Sequence, residues 1–167
     1  FGTLLSNGPN TKAAVGFAGD AAKEAQLFDL DRSLTDGRYI DGPGQVIIGA
    51  GLADDLGFGV GDTVRVVSTG ADYALHLKRF TIVGLFGTGL SQLDESFFQL
   101  PVADAQDFLR TGGGSQQVLV MLNDYRKADQ AAEAIRAALA GVPGTEGIVV
   151  QAWTEVGDFP RLIRMME

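Results

Sequence analysis

An α+β fold of mixed strands and helices is predicted for this 167-residue chain from three observations. Short β-branched runs recur through the middle of the sequence, apolar residues at helical spacing stand in separate stretches, and glycines fall where such elements must turn. A hydrophobic content of 46% suits a chain that buries a core.

In order along the chain, residues 13–18 form an apolar run, and within 20–30 the residues Ala21, Ala22, Ala25 and Phe28 make a weak helical stripe. Residues 33–37 read as a short helical turn ended by Gly37, and 41–44 as a loop. The apolar, β-branched run 45–49 suits a buried strand; 50–56 then places Leu52, Ala53 and Leu56 on one helical face, and Gly57 ends that helix. Turn glycines at 57–61 lead into a strand at 63–67. A second long β segment spans 77–86, where Phe80, Ile82 and Phe86 alternate with Arg79, Thr81 and Val83, and a polar, glycine-bearing loop covers 87–96. Pro101 suits the first position of a helix whose apolar face is Val102, Ala105, Phe108 and Leu109 and which Gly112, Gly113 and Gly114 end. Finally, a strand at 117–122, an amphipathic helix at 125–140 and a returning strand at 148–152 read as a βαβ unit, with Asn123 or Asp124 as cap and Gly141 as stop.

Thirteen basic against 21 acidic residues leave a net charge of −8, which gives no source for the basic patch that nucleic acids require. The absence of cysteine removes thiolate metal sites, disulfides and thiol nucleophiles, and leaves the redox compartment open. The longest nearly uncharged apolar stretch, 80–90, falls short of the roughly 20 residues that span a bilayer. The chain opens on Phe1 and stops within an apolar, helix-like run at 162–167, so both ends read as cut from something longer.

His76 is the one histidine; it excludes a two-histidine metal site and reads as a surface or half-buried ring. Residues 84–89 carry spaced glycines, lack the lysine of a phosphate loop and reverse the spacing of a dinucleotide fingerprint. The pairs Asp54-Asp55 and Asp94-Glu95 point apart as sequence neighbours and suit a solvated face. Phe97, Phe98 and Trp153 read as packing residues. No catalytic, cofactor-binding or metal-binding residue is assigned, and a non-catalytic domain is expected.

The run Val46-Ile47-Ile48-Gly49-Ala50-Gly51-Leu52-Ala53-Asp54-Asp55-Leu56-Gly57, followed by Val60-Gly61-Asp62-Thr63-Val64, resembles the periplasmic core domain of MacB-type ABC-transporter permeases, including the LolC and LolE lipoprotein-release subunits. Residues 34–40, 80–86, 104–109 and 151–155 follow that family's later and earlier blocks in order, so the resemblance covers roughly 13–167. It implies a domain set between the first and second transmembrane helices of a permease, on the extracytoplasmic side of the inner membrane. It also implies two lobes, a discontinuous, βαβ-based, membrane-proximal Porter-like lobe from 1–44 and 115–167 and a β-rich Sabre-like lobe from 45–114. The partners implied are a cytoplasmic ABC ATPase, a second permease subunit and a periplasmic adaptor or carrier protein, with no cofactor. One departure stands out: the loop 68–78 has no proline and is shorter than the hook by which lipoprotein-release subunits grip their carrier. Tyr73, Leu75, Leu90 and Leu93 are the candidate partner-contact residues. A freestanding ligand- or peptide-binding module is the alternative reading, and it predicts polar or secretory flanks.

Overall fold

The computed structural model describes residues 1–20, 23 and 30–156. The stripe read over 20–30 lies largely outside the described residues, and the run 162–167 lies wholly outside them. The fold is mixed α/β, and the chain divides into two compact units, Phe1–Gln117 and Val118–Glu167.

In the first unit the elements are β1 (Gly2–Ser6), β2 (Thr11–Gly19), β3 (Leu34–Gly37), β4 (Gln45–Gly49), α1 (Ala50–Leu56), β5 (Thr63–Thr69), β6 (Leu75–Phe86), α2 (Ser91–Asp94), β7 (Phe97–Pro101) and α3 (Val102–Phe108). Six strands close into a ring in the order β6-β4-β7-β2-β1-β5, with β5 returning to pair with β6, while β3 joins the side of β6. The length of β6 makes closure possible. Its first half, Leu75 to Thr81, pairs antiparallel with β5, and its second half pairs with β4 and β3. Thr81 is the crossing point, opposite both Thr63 and Gln45. A ring of this kind gives each of its six members a neighbour on both sides along at least part of its length.

Side chains alternate across the wall, as the pleat dictates. Leu5, Val64, Val66, Phe80, Ile82, Phe98 and Leu100 turn inward and are essentially fully buried. Because β4 and β7 are antiparallel neighbours, the helices that follow them leave from opposite ends of the barrel. At one end α1 buries Leu52, Ala53 and Leu56 and stops at Gly57, whose φ of 67° is the left-handed conformation expected there. Asn7 donates to the Leu56 carbonyl and Lys12 pairs with Asp55, which ties the β1–β2 turn to the end of α1. At the other end α3 buries Ala105 and Phe108, and Phe108 meets Phe80 edge to face at 6.3 Å. Asp104 anchors α3 by accepting the Gly44 N–H at 2.7 Å and the Lys78 ammonium at 2.9 Å. Partial burial pulls the Lys78 ammonium down, but the carboxylates of Asp104 and Asp107 outweigh it and hold the group above its ordinary value.

Three local readings are corrected. Residues 34–37 form strand β3 rather than a helical turn, because they find hydrogen-bond partners along β6. Gly37 is required there: its φ is 75°, and a Cβ would lie 2.3 Å from the Val83 carbonyl oxygen. Pro101 ends β7 and caps α3 from outside, with ψ 140°. The helix itself stops at Phe108, well before the three glycines, because the Leu109 carbonyl turns away to accept the Ala71 N–H at 2.7 Å.

The second unit holds a 3₁₀ turn (Tyr125–Lys127), α4 (Ala128–Leu139) and a 3₁₀ turn at Trp153–Glu155. Asp124 caps the start by accepting the Arg126 N–H at 3.1 Å, and Gly141 turns the chain at φ 79°. Arg136 holds the returning segment, donating to the Val150 carbonyl at 2.8 Å and to Glu155 at 2.6 Å. The βαβ reading is corrected to its helix alone: 117–122 and 148–152 form no strand, and Val118, Val120, Ile148 and Val149 are all more than half exposed. An apolar run becomes a strand only when another strand accepts its backbone bonds, and none does so here among the described residues.

Strands β1 and β2 pair with β5 and β7, so 2–19 belong to the same barrel as 45–101.

Candidate docking surface

Inward placement of Phe80 and Ile82 sets the parity of β6, so Leu75, Leu77 and Arg79 face outward. The register then aligns one outward residue from each of four strands: Ala13 opposite Leu4, Leu4 opposite Val67, and Val67 opposite Leu77. Leu4 is 46% exposed, Leu77 59% and Leu75 74%, so this row is an apolar band open to solvent. Such a band on a barrel wall marks an interaction surface more often than a scatter of single side chains does.

About 7 Å further along the same strands the next outward row is polar. Ser6 stands opposite Arg65, and Arg65 stands directly opposite Arg79. Both arginines are exposed, and among the described residues neither has an ion-pair partner. Facing like charges on adjacent strands are unfavourable. In a chain of net charge −8, two unpaired guanidiniums side by side form a local positive field beside the apolar band.

The candidates named from sequence fall at two ends. Tyr73, 93% exposed, and Leu75 lie at the β5–β6 turn next to this band. Leu90, exposed, and Leu93, half-buried, lie beyond the far end of β6, a strand whose twelve residues extend on the order of 35 Å at 3.3 Å per residue. The four residues therefore do not form one surface. At that far end Asp94 folds back on its own loop, held below the ordinary carboxylate value first by the Thr88 N–H at 2.8 Å, against partial burial, and then by the Thr88 hydroxyl and Gly89 N–H. Sequence reasoning missed Leu4, Val67, Leu77, Arg65 and Arg79. The signal for Leu77 was present in β6, where apolar residues occupy odd positions at 75 and 77 and even positions at 80 and 82, and so both faces of one strand.

The acidic pairs separate as expected for sequence neighbours: Asp55 faces Lys12, and Asp94 serves its loop. Phe98 is core, whereas Trp153 is partly exposed against Tyr125, ring centroids 6.1 Å apart. Among the described residues no cluster of three or more His, Cys, Asp or Glu side chains is placed to hold a metal ion.

A family model for the MacB-like periplasmic core domain matches residues 2–138, which take in the whole barrel and most of α4. The chain belongs to that family. The lipoprotein-releasing system transmembrane protein LolC of Neisseria meningitidis serogroup B is 29% identical over 141 residues, covering 80% of this chain and 33% of LolC. The chain thus spans about a third of the length of that relative. These matches agree with the resemblance read from the glycine-bearing block at 46–64, and they make this MacB-like periplasmic core domain part of an ABC-transporter permease of the MacB and LolC type. Among its described residues no helix is long and apolar enough to cross a membrane.

Proposed function

We propose that this domain stands on the extracytoplasmic side of the inner membrane and couples ATP-driven motion of the permease's membrane helices to release of a lipoprotein, with the outer wall of its barrel docking a periplasmic carrier protein. The observation that carries the reading is the row of exposed Leu4, half-buried Val67 and exposed Leu77 beside Arg65 and Arg79, which have no ion-pair partner among the described residues. That combination suits a soluble partner whose surface offers apolar side chains beside carboxylates: the apolar contact supplies affinity, and the guanidiniums supply register and association rate. LolC's description as part of a lipoprotein-releasing system supports the substrate class.

The barrel's construction suits a mechanical role. A closed ring with a helix packed into each end moves as a body, so a displacement applied through the chain is passed to the docking wall instead of being absorbed by bending. Hydrolysis of ATP falls to a cytoplasmic ATPase, and a second permease subunit completes the membrane part. Depleting the full-length permease in its own cells is expected to trap lipoproteins in the inner membrane, read by fractionation of the two membranes. An unchanged distribution would sink the proposal.

A further inference from the structure

The turn joining β5 to β6 keeps a backbone that its own sequence disfavours. Tyr73 has φ 60°, in the left-handed region where a residue with a Cβ is strained, and its 93% exposed ring leaves no core packing to offset that strain. Polar bonds hold the turn instead. The Gly70 N–H donates to the Ala74 carbonyl at 2.9 Å, and the Tyr73 N–H to the Gly70 carbonyl at 3.0 Å. The Asp72 carboxylate accepts the Ala74 N–H at 3.1 Å, and each of its oxygens lies 2.9 Å from His76 Nε2. The histidine ring lies over Gly70, where a Cβ would come within 2.7 Å of His76 Cδ2. From the other side, Ala71 donates to the Leu109 carbonyl at the end of α3. Asp72 is held below the ordinary carboxylate value, first by His76 and then by the Ala74 N–H, against its own desolvation.

We infer that His76 and Asp72 form a clasp that presents Tyr73: together they hold residues 70–74 on the one backbone course that turns the tyrosine ring outward at the edge of the Leu75–Leu77 surface. The inference rests on the docking reading. His76 is a positioning residue on this view, and its effect is to remove in advance the ordering cost that a loose tip would add to docking. The two main-chain bonds between Gly70, Tyr73 and Ala74 close the turn without it, so the clasp governs rigidity at the apex more than the existence of the hairpin.

The test compares His76→Phe and Asp72→Ala in the 167-residue chain; Asp72 is exposed, so its removal leaves the barrel core untouched. ¹⁵N relaxation is expected to show the Tyr73 and Ala74 amides passing from strand-like to loop-like order. Exchange of the Ala74 amide should quicken at least about tenfold, with the Val66 and Lys78 amides in the ladder unchanged. Unchanged order at Tyr73 in both variants overturns the clasp, and so does loss of protection along the whole β5–β6 ladder, which would make the pair an ordinary part of hairpin stability. Lipoprotein release by the full-length permease bearing Asp72→Ala separates this from the docking reading: a loosened tip with undiminished release removes Tyr73 from the docking surface and leaves the clasp standing.

Discussion

Leu77→Glu in the full-length permease is expected to cut lipoprotein release by roughly tenfold or more, as loss of a central interface side chain does. The position is chosen for its geometry. Leu77 sits opposite Val67, which sits opposite Leu4, so the new carboxylate would stand in the row from which four strands expose apolar side chains. There it would have to be desolvated against the acidic partner that the proposal calls for, and both effects oppose docking. The fold is spared because Leu77 is 59% exposed; the melting temperature of the variant should stay within about 2 °C of the parent, as for other surface changes. Replacing Arg65 and Arg79 together with glutamine belongs to the same test, since it removes the positive field and relieves the repulsion between the two strands. Wild-type release by Leu77→Glu, at wild-type permease levels, would count against the docking wall.

Phe80→Ala is expected to cost about 3–5 kcal/mol, a large part of the roughly 5–15 kcal/mol that holds a domain of this size folded. Phe80 is 1% exposed and lies where three constraints meet. It stands on the half of β6 that closes the ring with β5, it takes the edge of Phe108 from α3, and Lys78 Nζ lies 5.4 Å from its ring. Truncation would leave a cavity that rigid strands on either side have little freedom to fill. Denaturant titration of this chain measures the loss; a midpoint shift equivalent to less than about 1 kcal/mol would show that the site collapses freely and that α3 does not seal the barrel against Phe80.

Much of this architecture is legible along the chain. The run at 45–49, the helix with Leu52, Ala53 and Leu56, its glycine stop and the strand that carries Phe80 and Ile82 each form as read, but the alternation ends at the bulge after Ile82, beyond which Val83 is buried in one cluster with Phe86. The failures have a common physical origin in pairing. Residues 34–37 carry turn chemistry yet become a strand because β6 offers an open side there, and 117–122 and 148–152 carry strand chemistry yet form no strand. Ring closure is also invisible locally, since it depends on β6 serving β5 with one half and β4 with the other. The proposed docking wall has Tyr73 and Leu75 at an exposed turn that the sequence shows, but Leu4 and Val67 come from distant stretches and join Leu77 only through the register of the closed sheet.

The most direct test of an extracytoplasmic docking domain is the side of the membrane on which it stands. The chain contributes no cysteine, so a Thr69→Cys variant of the full-length permease places one reporter thiol in this domain, at the exposed end of β5. In intact spheroplasts a membrane-impermeant maleimide is expected to label that thiol as fully as it does after lysis. Labelling that appears only once the membrane is broken would put the domain in the cytoplasm and contradict both the docking wall and the release function built on it.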